Sequence, residues 1–186
     1  MTDTVGKLPP LTLVLGGMRS GKSRHAESLI SAASDLALYI ATAEARDPEM
    51  AERIRHHQGR RDPAWTTVEA PLDLAGTLRR QGTTGHPILV DCLTLWLSNL
   101  MEAGRDLDVE TGTLLAALRE ISAPVVMVSN EVGLGIVPVG ELTRRFADAA
   151  GRLNQAVAAR ADRVIFVAAG LPLVIKDTSK KRTLPA

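Results

Sequence analysis

The stretch LTLVLGGMRSGKSRHAESLI, residues 11–30, decides how this chain is read. Residues 11–15 form a short apolar run that ends on two glycines, which predicts a buried strand. Residues 21 to about 33 then take up helical spacing. Between them Gly16-Gly17-Met18-Arg19-Ser20-Gly21-Lys22-Ser23 fits G-x4-GK[ST], in the strand–loop–helix setting that this phosphate loop requires. Each residue type has a chemical reason. The glycines let backbone N–H groups curl around phosphate oxygens, and the helix N-terminus adds positive partial charge. Lys22 can reach the β- and γ-phosphates, Ser23 can bind Mg²⁺, and Arg19 can add a phosphate contact. The alternative is a Gly-rich turn that binds nothing. The motif speaks for nucleotide binding and does not by itself choose among kinase, transferase, motor and switch.

Outward from this loop, short apolar runs alternate with helical segments. Strands are expected at 36–41, 66–69, 88–92, 125–128, 164–168 and 173–175. Helices are expected at 47–58, 72–80, 93–101, 109–121 and 141–160. Asp47-Pro48-Glu49 has the cap, first-turn proline and early acid of a helix start. On the last helix Leu142, Phe146, Ala149, Leu153 and Val157 recur on one side. The alternation predicts an α/β fold: a mostly parallel sheet of the P-loop NTPase, RecA-like type, with helices on both faces. Residues 1–10 read as a loose leader, 11–176 as one domain, and 177–186 as a basic, frayed tail.

A nucleotide site at the end of such a sheet needs an acidic partner on a neighbouring strand. Asp91 closes the run Ile88-Leu89-Val90 and suits Mg²⁺, held directly or through water. It also suits the N-cap of the following helix. Cys92 reads as core packing. Ser129-Asn130-Glu131-Val132-Gly133 follows a strand, where Asn130 or Glu131 can position a substrate or metal, or where a Gly-rich turn simply caps itself.

Two histidines stand near the end of the 47–58 helix. Met50, Ile54 and His57 continue an apolar face, whereas His56 falls with Glu52, Arg53 and Arg60 on the polar one. Arg53 and Arg60 disfavour a protonated imidazole, and a neutral imidazole is what attack on phosphorus needs. Two surface histidines on a charged helix are the plainer reading.

Composition narrows the rest. The chain has 186 residues, 45% hydrophobic and 23% charged, as a soluble single domain does. A formal net charge of +1 and 3% aromatics argue against a nucleic-acid partner. The lone Cys92 excludes an intrachain disulfide and a Cys-rich zinc site, and suits a cytoplasmic location. Apolar runs such as 124–128 are too short for membrane insertion.

Taken together, GGMRSGKSRHAESLI (16–30), LYIATAEARDPEMAERIRHHQGRR (38–61), ILVDCLTLWLSNLM (88–101), VSNEVGLGIVP (128–138) and RFADAAGRLNQAVAARADRVIFVAAGLPLVIK (145–176) resemble the bifunctional adenosylcobinamide kinase/adenosylcobinamide-phosphate guanylyltransferase family. The Walker motif is generic; SNEVGLGIVP and the IRHH helix are far more specific. Residues 82–87 carry no useful match, and 43–46 are variable in character. The resemblance implies two reactions of cobalamin synthesis. Adenosylcobinamide is phosphorylated with ATP or GTP. GMP then passes from GTP to adenosylcobinamide phosphate through a guanylylated histidine, here His56, and pyrophosphate is released. It also implies GTP contacts from the loop, from Ile40, Ala41 and Thr42, from His57, Gln58, Gly59 and Arg60, and from Glu69 and Asp91, and it implies a homotrimer. Two other readings stay open. One is a small-molecule kinase without guanylyl transfer. The other is a nucleotide-dependent switch, weakened because no guanine-specifying N-K-x-D is present.

Overall fold

The computed structural model describes residues 8–45, 48, 52 and 64–178. β1 (Leu11–Gly16) is buried along its whole length, as a central strand covered on both faces must be. α1 (Lys22–Ser31), β2 (Leu38–Ala41), β3 (Thr66–Glu69), α2 (Leu74–Gln81) and β4 (Ile88–Asp91) follow. The chain continues through α3 (Leu93–Glu102), α4 (Leu107–Glu120), β5 (Val125–Asn130), α5 (Glu141–Arg160), β6 (Arg163–Ala168) and β7 (Leu171–Asp177). The seven-stranded sheet runs β3-β2-β4-β5-β1-β6-β7. All neighbours pair in parallel except β6 with β7. Six strand ends and the loops after them therefore share one edge of the sheet, where open parallel sheets hold their ligands.

Period-two alternation divides the core between the faces. Leu13, Leu15, Val90 and Met127 point into a large cluster with Leu78, Trp96, Leu100, Leu114 and Leu153. Val14, Tyr39, Leu89, Val126, Val128 and Ile165 point the other way, against Ala26 and Ile30 of α1. The apolar spacing of α5 holds for Ala149, Leu153 and Val157, whereas Leu142 is 69% exposed because the first turn stands clear of the sheet.

Several boundaries differ from the sequence-based expectation for local reasons. Asp73 accepts a hydrogen bond from the Gly76 N–H at 3.0 Å and moves the start of α2 to Leu74. Asp106 accepts from the N–H groups of Asp108 and Val109, so α4 starts at Leu107 rather than 109. β5 runs on to Asn130 because Ser129 and Asn130 still pair with Leu15 and Gly16. β7 is longer than 173–175 because it closes a hairpin on β6. The turn has positive φ at Ala169 (51°) and Gly170 (79°), the mirror-image type that matches strand twist. Leu8, read as part of a loose leader, is buried in the α1-side cluster. Apart from positions 48 and 52, the helix expected at 47–58, with His56 and His57, lies outside the described residues, as do Gln58, Gly59 and Arg60. Among the described residues no helix is long and apolar enough to cross a membrane.

Candidate active site

Residues 16–23 leave the end of β1 and enter α1. Gly21 is the N-cap at φ 93°, and no side chain caps this helix end. The first amides of α1 are thus left for a ligand, as a phosphate site requires. Gly16 is required by packing: an added Cβ would lie 2.5 Å from both Ser20 Oγ and Val167 O. Lys22 is mostly buried, and its Nζ donates to Gly17 O at 3.1 Å, which holds the ammonium over the loop. The hairpin turn braces the loop from behind, with the Gly170 N–H donating to Ser20 O at 2.8 Å. Arg19 has φ 57°, a left-handed conformation that side chains seldom adopt. Met18 is 77% exposed at the tip. Ser23, in the first turn of α1, is half-buried.

Asp91 ends β4 two strands away from β1, with β5 between them. Leu89 packs on the α1 face, so Asp91, two residues on, lies on that face too. The chain's single tyrosine, Tyr39, sits beside it and donates from Oη to Asp91 Oδ2 at 3.2 Å. The N-cap of α3 is Cys92, not Asp91, and it makes no side-chain cap. The carboxylate is therefore not used to start the helix. Sequence reasoning missed Tyr39, because only strand register brings residues 39 and 91 together.

Cys92 is buried, and its thiol pKa is pushed up to about 11, first by burial and second by the neighbouring Asp91 charge. A thiol so raised is almost wholly protonated at neutral pH. Cys92 in the folded protein is thus expected to react with iodoacetamide at pH 8 at least about a hundredfold more slowly than in urea, given a two-unit shift in thiolate population. Equal rates in both states would contradict the packing described.

Thr42 is fully buried, and its hydroxyl is committed. It donates to Cys92 O at 2.7 Å and accepts from Cys92 N–H at 2.8 Å. The Thr42 N–H donates to Asp91 O, and the Thr42 C=O accepts from Asn99 Nδ2 at 2.8 Å. Ile40 points into the opposite, α3-side cluster. The Ile40 side chain and the Thr42 hydroxyl are thus engaged within the protein itself. Both are consumed in fixing the strand end that carries Asp91. Ala41 is partly open on the α1 face, and Glu69 is exposed in register beside it. Thr42→Val keeps the volume but strands the buried Cys92 N–H. It is expected to cost about 1–3 kcal/mol in urea unfolding, with Thr42→Ser close to the parent.

The β5–α5 loop supplies the last group. Glu131 donates its N–H to Gly16 O at 3.1 Å, and its Oε1 accepts from the Gly133 N–H at 2.6 Å. Asn130 is half-buried at the strand end.

The family model described as cobinamide kinase/cobinamide phosphate guanyltransferase matches residues 12–175. The chain is 52% identical over 166 residues to the bifunctional adenosylcobalamin biosynthesis protein CobP of Pseudomonas aeruginosa, covering 88% of this chain and 96% of that one. It is 42% identical over 181 residues to the bifunctional adenosylcobalamin biosynthesis protein CobU of Salmonella typhimurium, covering 89% and 99%. Among solved structures it is similar to the flagellar accessory protein FlaH of Methanocaldococcus jannaschii, with a TM-score of 0.52, 10% identity and coverage of 92% and 80%. It is also similar to the ATPase EscN of the enteropathogenic E. coli type III secretion system, with a TM-score of 0.54, 12% identity and coverage of 89% and 43%. At such identities these two likenesses concern the fold alone, that of P-loop NTPases.

Proposed function

The chain belongs to the cobinamide kinase/cobinamide phosphate guanyltransferase family, and on that premise we propose that one phosphate site, the 16–23 loop with Asp91, serves both of its reactions. The enzyme phosphorylates adenosylcobinamide and then guanylylates the phosphate. The observation that carries the shared site is the Lys22 ammonium folded over a loop whose helix end has no side-chain cap. That arrangement can hold a triphosphate in either reaction.

In the kinase step the substrate hydroxyl oxygen attacks the γ-phosphorus. The bond to the bridging oxygen breaks, the nucleoside diphosphate leaves, and the hydroxyl proton goes to solvent. Positioning and charge neutralisation carry this step. In the second reaction a neutral His56 imidazole nitrogen attacks the α-phosphorus of GTP, and pyrophosphate leaves on the loop. A phosphate oxygen of the corrinoid then attacks the same phosphorus, and the P–N bond breaks. Splitting one displacement in two is the benefit of the covalent intermediate. Glu69, the strand end Ile40, Ala41 and Thr42, and the segment His57, Gln58, Gly59 and Arg60 are the nucleoside-side candidates.

The donor set fits Mg²⁺. Ser23 carries a hydroxyl in the first turn of α1, and Asp91 carries a carboxylate on the same face. Among the described residues no three His, Cys, Asp or Glu side chains gather into a metal cage. The pair Ser23 and Asp91 suits a hard cation that completes its shell with phosphate oxygens and water. Such a cation would neutralise charge on the triphosphate. The homotrimer and a cytoplasmic location remain parts of this proposal, supported by the resemblance and by the lone buried thiol.

The test follows two labels. Protein is incubated with adenosylcobinamide and GTP labelled at the γ- or the α-phosphorus. The expected result is γ-label in the corrinoid first and α-label in it second. Transfer of γ-label alone would support the small-molecule kinase instead.

A further inference from the structure

Asn130 ends the strand that lies between the phosphate-loop strand and the Asp91 strand. It pairs with Gly16, the first residue of the loop, and Val128 pairs with Asp91. Neighbouring strands run about 4.8 Å apart, so Asn130 stands beside the mouth of the loop. Its face is settled by alternation. Val126 and Val128 pack against Ala26 and Ile30 of α1, so Asn130 lies on the α1 face, with Asp91. Ser129 lies on the other face, its hydroxyl 3.3 Å from Thr94 Oγ1.

The backbone of Asn130 is pinned at both ends. Its N–H donates to Thr94 Oγ1 at 2.7 Å, and its C=O accepts from Asn154 Nδ2 at 3.1 Å. Thr94 and Asn154 are themselves buried. Three elements, α3, β5 and α5, thus fix one half-buried residue, yet among the described residues nothing hydrogen-bonds its carboxamide. Its neighbour Glu131 differs in each respect. The Glu131 carboxylate is used in its own turn, accepting from the Gly133 N–H, and its charge would repel a triphosphate.

We propose that the Asn130 carboxamide donates a hydrogen bond to the terminal phosphate of the nucleoside triphosphate seated on the 16–23 loop. The inference rests on the phosphate-loop reading of the site. A neutral amide gives direction without adding charge, which suits a group that must recognise the γ-phosphate and then release the diphosphate. The contact tells triphosphate from diphosphate.

The experiment is equilibrium binding of GTP and of GDP, with Mg²⁺ present, to the full chain and to Asn130→Ala and Asn130→Asp. A hydrogen bond to a charged group is lost in the alanine variant, so GTP affinity is expected to fall at least about tenfold with GDP affinity unchanged. Asn130→Asp keeps the shape and the backbone bonds and places a carboxylate against the phosphate. It is expected to lose more for GTP than alanine does, and to remain folded if the alanine variant does not. A GTP-to-GDP preference equal to the parent's in the folded variant overturns the proposal. Failure of the parent protein to bind either nucleotide overturns the phosphate-loop reading, and the proposal with it.

Discussion

Lys22→Ala is expected to lower both reactions by about a hundredfold or more, since it removes the main positive charge at developing phosphate charge. Lys22 is mostly buried and is held against Gly17 O, so it is already placed rather than recruited from solvent. The loop itself is held without it, by the Gly170 N–H on Ser20 O and by the packing of Gly16 against Val167. The variant should therefore keep its fold and its melting temperature. The two activities are to be measured separately, with γ-labelled and with α-labelled GTP. Loss of only one of them would mean that the reactions use distinct phosphate sites, against the shared-site proposal.

His56→Ala is expected to remove guanylyl transfer by roughly three orders of magnitude or more, as loss of a nucleophile does. Phosphorylation of adenosylcobinamide and GTP binding should persist, because neither needs the imidazole. Incubation with α-labelled GTP and Mg²⁺, followed by denaturing electrophoresis, reads the intermediate directly. The parent protein should retain label that is acid-labile and base-stable, as a phosphoramidate is, and the variant should retain none. Undiminished transfer by the variant would remove His56 from the mechanism. Label retained by the variant with the same acid and base stability would move the nucleophile to another histidine.

Lys22 and His56 are legible in the sequence in different ways. The loop could be read locally: glycine placement, a lysine and a serine in fixed order between a strand and a helix are one contiguous chemical device. His56 is set apart from His57 by helical periodicity together with family resemblance. Element boundaries were legible where periodicity was long, as in α5 at Glu141–Arg160. They slipped where one side chain sets the end, as with the Asp73 and Asp106 caps. β7 runs beyond its own apolar pattern, because a hairpin strand owes its length to its partner β6.

The sequence by itself determined that this chain is an α/β phosphate-loop protein, since apolar strands, helical spacing and the glycine loop are all encoded within short windows. It also marked Asp91 as a strand-end acid. Only the tertiary structure decided what surrounds that acid. The Thr42 hydroxyl is closed in a clamp on Cys92, and Tyr39 holds the Asp91 carboxylate. Asn130 was separated from Glu131 in the same way, by strand register and by which hydrogen bonds were already taken. For Asp91 and Thr42 the physical reason is that a side chain's chemical freedom depends on partners that sheet pairing brings to it from 52 and 50 positions away in the chain, and no local pattern carries that information.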